Sequence, residues 1–333
     1  MGTDLPELYR LMLRSRRFEE AVTRLWEAGN ISGEMHLGVG EEAVVAGVVA
    51  NLQDGDAMAL DHRGTPPLVM RGVDLALLLK ELLGRTDGLC SGMGGHMHLF
   101  SSEHLAASSG IVGSSGPLAA GFALAAQYLN PGRVSVAFFG DGASNQGMLL
   151  ESFNLASAWQ LPLIFVCKDN NWAITTPSAK VTGGSLLDRA RSFGLEAAEV
   201  DGSDVEAVYS SAGRMIGRAR DGDGPSFILA RCPRLEGHFL GDPLRNADMM
   251  ALAGPLMTAF AAQPGAGIAE RAYSLGTLLS LVGKSTLEKN WPRHDPVDRA
   301  RRKLRSQNTS LDALEKEVAA EIALALETAL KET

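Results

Sequence analysis

The chain has 333 residues, and its 31 lysines and arginines against 39 aspartates and glutamates leave a formal charge of −8. With 45% hydrophobic and 21% charged residues it has the balance of a folded protein, long enough for two domains or one large α/β unit. An acidic excess offers no positive field to nucleic acid or to an anionic membrane, which argues against both as major partners.

Cys90, Cys167 and Cys232 are widely spaced and make neither a disulfide framework nor a paired zinc-ligand spacing. The N-terminal stretch carries charge throughout, and no apolar run approaches the roughly 18 residues of a membrane helix. A soluble protein in a reducing cytoplasm is the expectation.

In chain order, residues 5–28 have Leu8, Leu11, Phe18, Val22 and Leu25 near helical spacing, which predicts an amphipathic helix. Residues 41–52 and 75–83 read as two more helices. A glycine-rich stretch follows (Gly84, Gly88, Gly92, Gly94, Gly95, Gly110, Gly113, Gly116), suited either to close backbone approach to a ligand or to plain loop. Residues 118–129 are a small-residue helix, and VSVAFF (134–139) is a buried-strand candidate ending at Gly140-Asp141-Gly142. A helix over 147–159 and a second strand candidate, LIFVC (163–167), complete a βαβ unit. Strand 196–200, helix 205–220 and strand 226–230 repeat the pattern. Near the C-terminus Leu311, Leu314, Val318, Ile322, Ala325 and Ala329 line one helix face, Thr309 and Asp312 suggest a capping box, and Glu315, Lys316, Glu317 and Glu321 are expected in solvent.

A parallel βαβ unit brings the carboxyl ends of its strands to one sheet edge, where α/β proteins bind ligands. Asp141 follows the first strand and Asn170 the second, so two hard oxygen donors converge there and suit Mg²⁺ or Ca²⁺. Magnesium takes one or two protein carboxylates together with phosphate oxygens and water, so this pair suits a metal-bridged diphosphate. A dinucleotide fingerprint fails, because the glycine after Gly142 is Gly147 and Asp141 would repel a pyrophosphate lacking an intervening cation. Taken singly, Asp141-Gly142 and Asn170-Asn171 are ordinary turn sequences; their matched positions favour the metal–diphosphate site. His96 and His98, with His104 nearby, lack the thiolates or carboxylates that would complete a zinc set.

Residues 140–177, GDGASNQGMLLESFNLASAWQLPLIFVCKDNNWAITTP, resemble the thiamine-diphosphate motif of the alpha subunit of the decarboxylating component of 2-oxo acid dehydrogenases, the group that includes the pyruvate, branched-chain 2-oxo acid and acetoin enzymes. Further matching segments are MHLGVGEEAV (35–44), HRG (62–64), GLCSGMGGHMHLF (88–100), GIVGSSGPLAAG (110–121), VDGSDVEAVY (200–209), GHFLGDP (237–243) and HDPVDRARRKL (294–304). The resemblance implies an α/β thiamine-diphosphate-binding fold, a central mostly parallel sheet with helices on both faces. It implies magnesium held by Asp141, Asn170 and the main-chain oxygen of Trp172, diphosphate against Gly142 and Ala143, and aminopyrimidine near Gly110 and Val112. His62 and Arg63 match a cofactor-contacting pair, and His238 matches a loop histidine that assists acyl transfer. The partners implied are a beta subunit that supplies the activating glutamate, in an α2β2 assembly, and a lipoyl-domain acyltransferase.

Three departures from that family pattern stand out. Thr65 replaces a histidine found in many members, with Pro66-Pro67 expected to stiffen the loop. Phe239 replaces a phosphorylatable serine. The stretch after Pro243 is longer than the pattern, apolar and helix-prone. The expected organisation is therefore a diphosphate-binding domain over 1–244, an inserted apolar helical segment over 245–293 that packs on the partner or roofs the entrance, and a helical extension over 294–333. Alternatives are a carbon–carbon ligase without a lipoyl acceptor, and a non-catalytic regulatory paralogue.

Overall fold

A computed structural model describes residues 3–242 and 295–331. The expected 245–293 insertion lies outside the described residues.

Helix α1 (Leu5–Glu27) starts where the side chain of Asp4 accepts from the Glu7 amide, with proline in the first turn, where its missing N–H costs nothing. Next come α2 (Glu42–Val49), β1 (Ala57–Leu60), α3 (Thr65–Arg71) and α4 (Leu75–Leu82). The glycine-rich stretch leads to β2 (Phe100–Ser101) and β3 (Ala106–Ser108). Then α5 (Ser115–Leu129), β4 (Ser135–Gly140), a 3-10 turn (Asp141–Asn145), α6 (Gly147–Ala158) and β5 (Leu163–Asp169) form the central βαβ unit. A small hairpin, β6 (Trp172–Ala173) and β7 (Thr176–Pro177), precedes α7 (Leu186–Ser192), β8 (Glu196–Asp201), α8 (Val205–Arg220) and β9 (Ser226–Arg231). The described chain closes with α9 (Pro296–Ser306) and α10 (Asp312–Leu330).

Seven strands form one sheet in the order β2-β3-β1-β4-β5-β9-β8, parallel except for β2 against β3. Successive side chains of a strand point to opposite faces, and the core divides accordingly. Val136, Phe138, Ile164 and Val166 pack beneath α1, α2 and α8, whereas Ala137, Phe139, Phe165 and Cys167 pack beneath α5 and α6. Both faces are covered, as a parallel sheet requires, and the expected α/β architecture is observed.

Helices α9 and α10 pack on α1. Arg16 of α1 lies 2.5 Å from Glu42 and 2.9 Å from Asp295, joining three helices through a single guanidinium. Val318, Ile322, Ala325 and Ala329 are buried as expected. The polar face of α10 is not simply solvated: Glu315 accepts from Tyr9 (2.7 Å) and Glu321 from Arg14 (2.8 Å). Nor does Thr309 cap this helix, whose N-cap is Leu311 without a side-chain bond. Among the described residues no helix is long and apolar enough to cross a membrane.

The Pro66-Pro67 pair also departs from expectation. Pro66 and Pro67 occupy the first turn of α3 rather than stiffening a loop, because that turn needs no proline N–H. The Thr65 hydroxyl donates to Oε1 of Glu19 (3.2 Å), which also accepts from the Gly38 amide (2.8 Å), while Oε2 of Glu19 is buried without a partner. Burial pushes Glu19 up to about 8, so folding favours its protonated form. Stability should therefore fall as pH rises from the ordinary carboxylate range to about 8, with a slope approaching ~1.4 kcal/mol per pH unit. Urea midpoints between pH 5 and 8.5 should show that slope, and Glu19→Gln should flatten it; a variant with an unchanged slope would exclude Glu19 as its source.

Candidate active site

β4 and β5 pair in parallel with Gly140 opposite Lys168, so both strands end at the same edge. There the chain turns into the Asp141–Asn145 3-10 turn on one side and the β6–β7 hairpin on the other. A Cβ at Gly142 would meet the Cβ of Ala173 at 2.7 Å, so glycine is what lets turn and hairpin touch. Asn171, at φ 66°, starts the hairpin, and its carbonyl accepts from the Ser178 amide (2.9 Å). The Ser178 hydroxyl is thereby returned to the carboxylate of Asp141, to which it donates.

One cavity of about 370 Å³ opens at this edge. His62, Arg63, Gly110, Val112, Asp141, Gly142, Ala143, Asn170, Trp172 and His238, the residues singled out from sequence, all line it. So do His36, Glu41, Asp61, Met97 and Ile111, which sequence inspection did not assign to it. Thr65 is absent from the lining, since its hydroxyl faces Glu19.

Asp141 is 1% exposed, and burial, with the nearby Asp169 adding to it, pushes its carboxyl up against the bond from Ser178. A buried carboxylate in that state is stabilised by a cation. Asn170 beside it and the main-chain oxygens of the turn are hard donors of the kind magnesium accepts, so the residues present fit a metal-bridged diphosphate. Arg63 reaches the cavity but donates to the carbonyls of Leu37 and His238, the latter at 3.0 Å, and lies 3.7 Å from Glu41. As placed, its guanidinium ties the His238 segment to the sheet edge.

Beneath the cavity Lys168, 1% exposed, bridges Glu41 (2.7 Å) and Asp61 (3.0 Å). Burial, which would raise it, is outweighed for Asp61 by Lys168, and the carboxyl is held below the ordinary range. Above lie four imidazoles. Nδ1 of His36 and Nε2 of His96 are 2.9 Å apart, and the rings of His62 and His238 stand 4.8 and 4.7 Å from that of His36. Burial lowers His36 to about 2, His62 to about 3 and His96 and His238 to about 4, so all four are neutral at pH 7.

The glycine-rich stretch that leads to His96 is tied to α4 by Glu81. Its fully buried carboxylate accepts from the amides of Cys90 (2.7 Å), Gly92 (2.8 Å), Gly94 (2.7 Å) and Gly95 (3.2 Å). Gly92 and Gly95 have φ of 73° and 56°, conformations that few other residues adopt. Four amide bonds to one charge predict that Glu81→Ala costs at least ~3 kcal/mol and abolishes hydrogen-exchange protection over residues 90–95. Retained protection in that variant would show that another group orders the loop.

The dehydrogenase E1 component family matches residues 10–249, the stretch that builds the sheet, the turn and the cavity. The chain belongs to that family. Among its relatives in the family, the acetoin:2,6-dichlorophenolindophenol oxidoreductase alpha subunits of Cupriavidus necator and Bacillus subtilis are 44% and 43% identical over 237 residues, 71% of this chain and 71% of each relative. The pyruvate dehydrogenase E1 component alpha subunit of Zymomonas mobilis is 40% identical over 245 residues, 73% of this chain and 69% of the relative. Membership of the E1 family implies use of thiamine diphosphate.

Proposed function

We propose that this chain is the diphosphate-holding alpha subunit of a two-chain thiamine-diphosphate enzyme that decarboxylates a 2-oxo acid or cleaves an acyloin, passing the acyl unit to an acceptor such as a lipoyl carrier. The observation that carries the proposal is the buried Asp141 carboxylate, raised by burial and set beside Asn170 at the matched ends of β4 and β5. The relatives named alpha subunits support the two-chain assembly.

In this proposal Asp141, Asn170 and the main-chain oxygen of Trp172 hold Mg²⁺, with Gly142 and Ala143 against the diphosphate and Gly110 and Val112 near the aminopyrimidine. When bound, the cofactor supplies a nucleophilic carbanion and a sink for the electron pair left by departing CO₂. Arg63 brings a guanidinium suited to paired bonds with phosphate oxygens, and His62 lines the wall beside it. His238 is uncharged at neutral pH and accepts a proton at a ring nitrogen. Glu41 and Asp61, two other carboxylates of the cavity, are engaged by Lys168. That commitment supports a beta-type chain as the source of the acid that activates the aminopyrimidine.

Calorimetric titration with thiamine diphosphate and Mg²⁺, for the chain alone and co-expressed with a beta-type chain, tests this. Saturable, magnesium-dependent binding is expected, with decarboxylation of 2-oxo acids only when both chains are present. No binding in either case would overturn the proposal.

A further inference from the structure

His36, His62 and His238 come from three distant segments, yet one ring nitrogen from each lies within 4.8 Å of the others. Nε2 of His62 is buried without a hydrogen-bond partner, a cost that an ion would relieve. We propose that these three histidines form a site for a divalent transition-metal ion of the zinc class, distinct in its nitrogen donors from the oxygen site at Asp141. Imidazole nitrogens suit zinc, copper, nickel and cobalt and do not suit magnesium. Three protein nitrogens with an open fourth position make a site of the exchangeable kind.

The geometry needs modest closure. Metal–nitrogen bonds of about 2.0–2.1 Å in a tetrahedral arrangement place the ligand atoms ~3.3 Å apart. The widest separation here exceeds that by roughly 1.5 Å, within reach of side-chain rotation. His238 has its carbonyl held by Arg63 and its amide by Asp242, so the closure is made by rotation of the side chains. His96 holds the ring of His36 through Nδ1, the outer-shell contact that fixes a ligand's orientation. The nearby charge of Arg63 is countered by Glu41 at 3.7 Å. Occupancy would have a chemical consequence: a coordinated nitrogen of His238 has no lone pair for a proton, so the ion acts as a reversible brake on proton transfer there.

The site does not rest on the proposed diphosphate function, and its test is arranged to keep the two apart. The full chain carrying Asp141→Asn, which removes the competing oxygen site, is titrated with Co²⁺ and followed by its visible absorption. One equivalent with the spectrum of a nitrogen-ligated, low-coordinate ion is expected, displaced by one equivalent of Zn²⁺. His36→Gln, His62→Gln and His238→Gln should each abolish that band, while His104→Gln, outside the cluster, should leave it intact; circular dichroism checks that each variant is folded. Absence of the band in the folded parent chain, or its survival in any of the three cluster variants, overturns the proposal.

Discussion

Asp141→Asn should move two measurements in opposite directions: the cofactor-free protein melts higher, and magnesium-dependent binding of thiamine diphosphate is lost. The carboxyl of Asp141 is raised by burial, with Asp169 close by, so the folded state prefers it protonated. Its contribution to stability is full at acid pH and is lost as pH rises through the raised value, above which the buried carboxylate is charged. The amide removes that charge while still accepting from Ser178, which should return about 1–3 kcal/mol. For a domain of this size that is a few degrees in Tm, readable by differential scanning calorimetry. The amide also deprives the cation of its one charged protein ligand in the proposed set, a loss of at least ~100-fold in affinity. With wild type, saturating cofactor and Mg²⁺ raise Tm by mass action; with the variant they should not. A variant that is no more stable, yet still binds, would remove Asp141 from the site altogether.

Lys168→Met is expected to cost ~3–5 kcal/mol, seen as a lowered urea midpoint. Removing the ammonium leaves Glu41 and Asp61 side by side with the more distant Arg63, 3.7 Å from Glu41, as their countercharge. The deficit should shrink as pH falls and Asp61, no longer held below the ordinary range, takes up a proton. A triple variant with Glu41→Gln and Asp61→Asn should regain most of the loss, since the penalty belongs to the uncompensated charges rather than to the missing side chain. If the triple variant is as unstable as the single one, packing around Lys168 is the cause.

The strand ends that place Asp141 and Asn170 were legible because VSVAFF and LIFVC are buried on both faces and read as continuous apolar runs. The same signal was available at β1, whose four residues AMAL stop at Asp61, but a run so short does not stand out from surrounding helices. The histidine cluster had no such signal. Positions 36, 62 and 238 share no spacing; the bonds from Arg63 to the Leu37 and His238 carbonyls and from the Leu240 amide to the Met35 carbonyl bring them together. His96 stands in sequence beside His98 and His104, whereas its bonded partner His36 lies sixty residues away. Ser178 was hidden for a similar reason: the left-handed backbone of Asn171 and Ile174 reverses the chain there, and although asparagine suits such a turn, the isoleucine does not announce one. Capping of α10 failed as a sequence signal because tertiary packing of Leu311 set the boundary in place of the Thr309 hydroxyl.

Strand β5 puts Lys168 and Asp169 on consecutive positions, the ammonium toward Glu41 and Asp61 and the carboxylate toward Arg231 on the neighbouring strand. Because alternation along a strand is strict, deleting one codon upstream within β5 would bring Asp169 against Glu41 and Asp61, a third anion beside two, and would push Lys168 into the apolar place of Cys167, opposite Leu229. Conservative substitutions at the apolar positions of β5 can be tolerated one at a time, but its length cannot drift, and relatives in this family should differ in the identity of those residues far more readily than in their number.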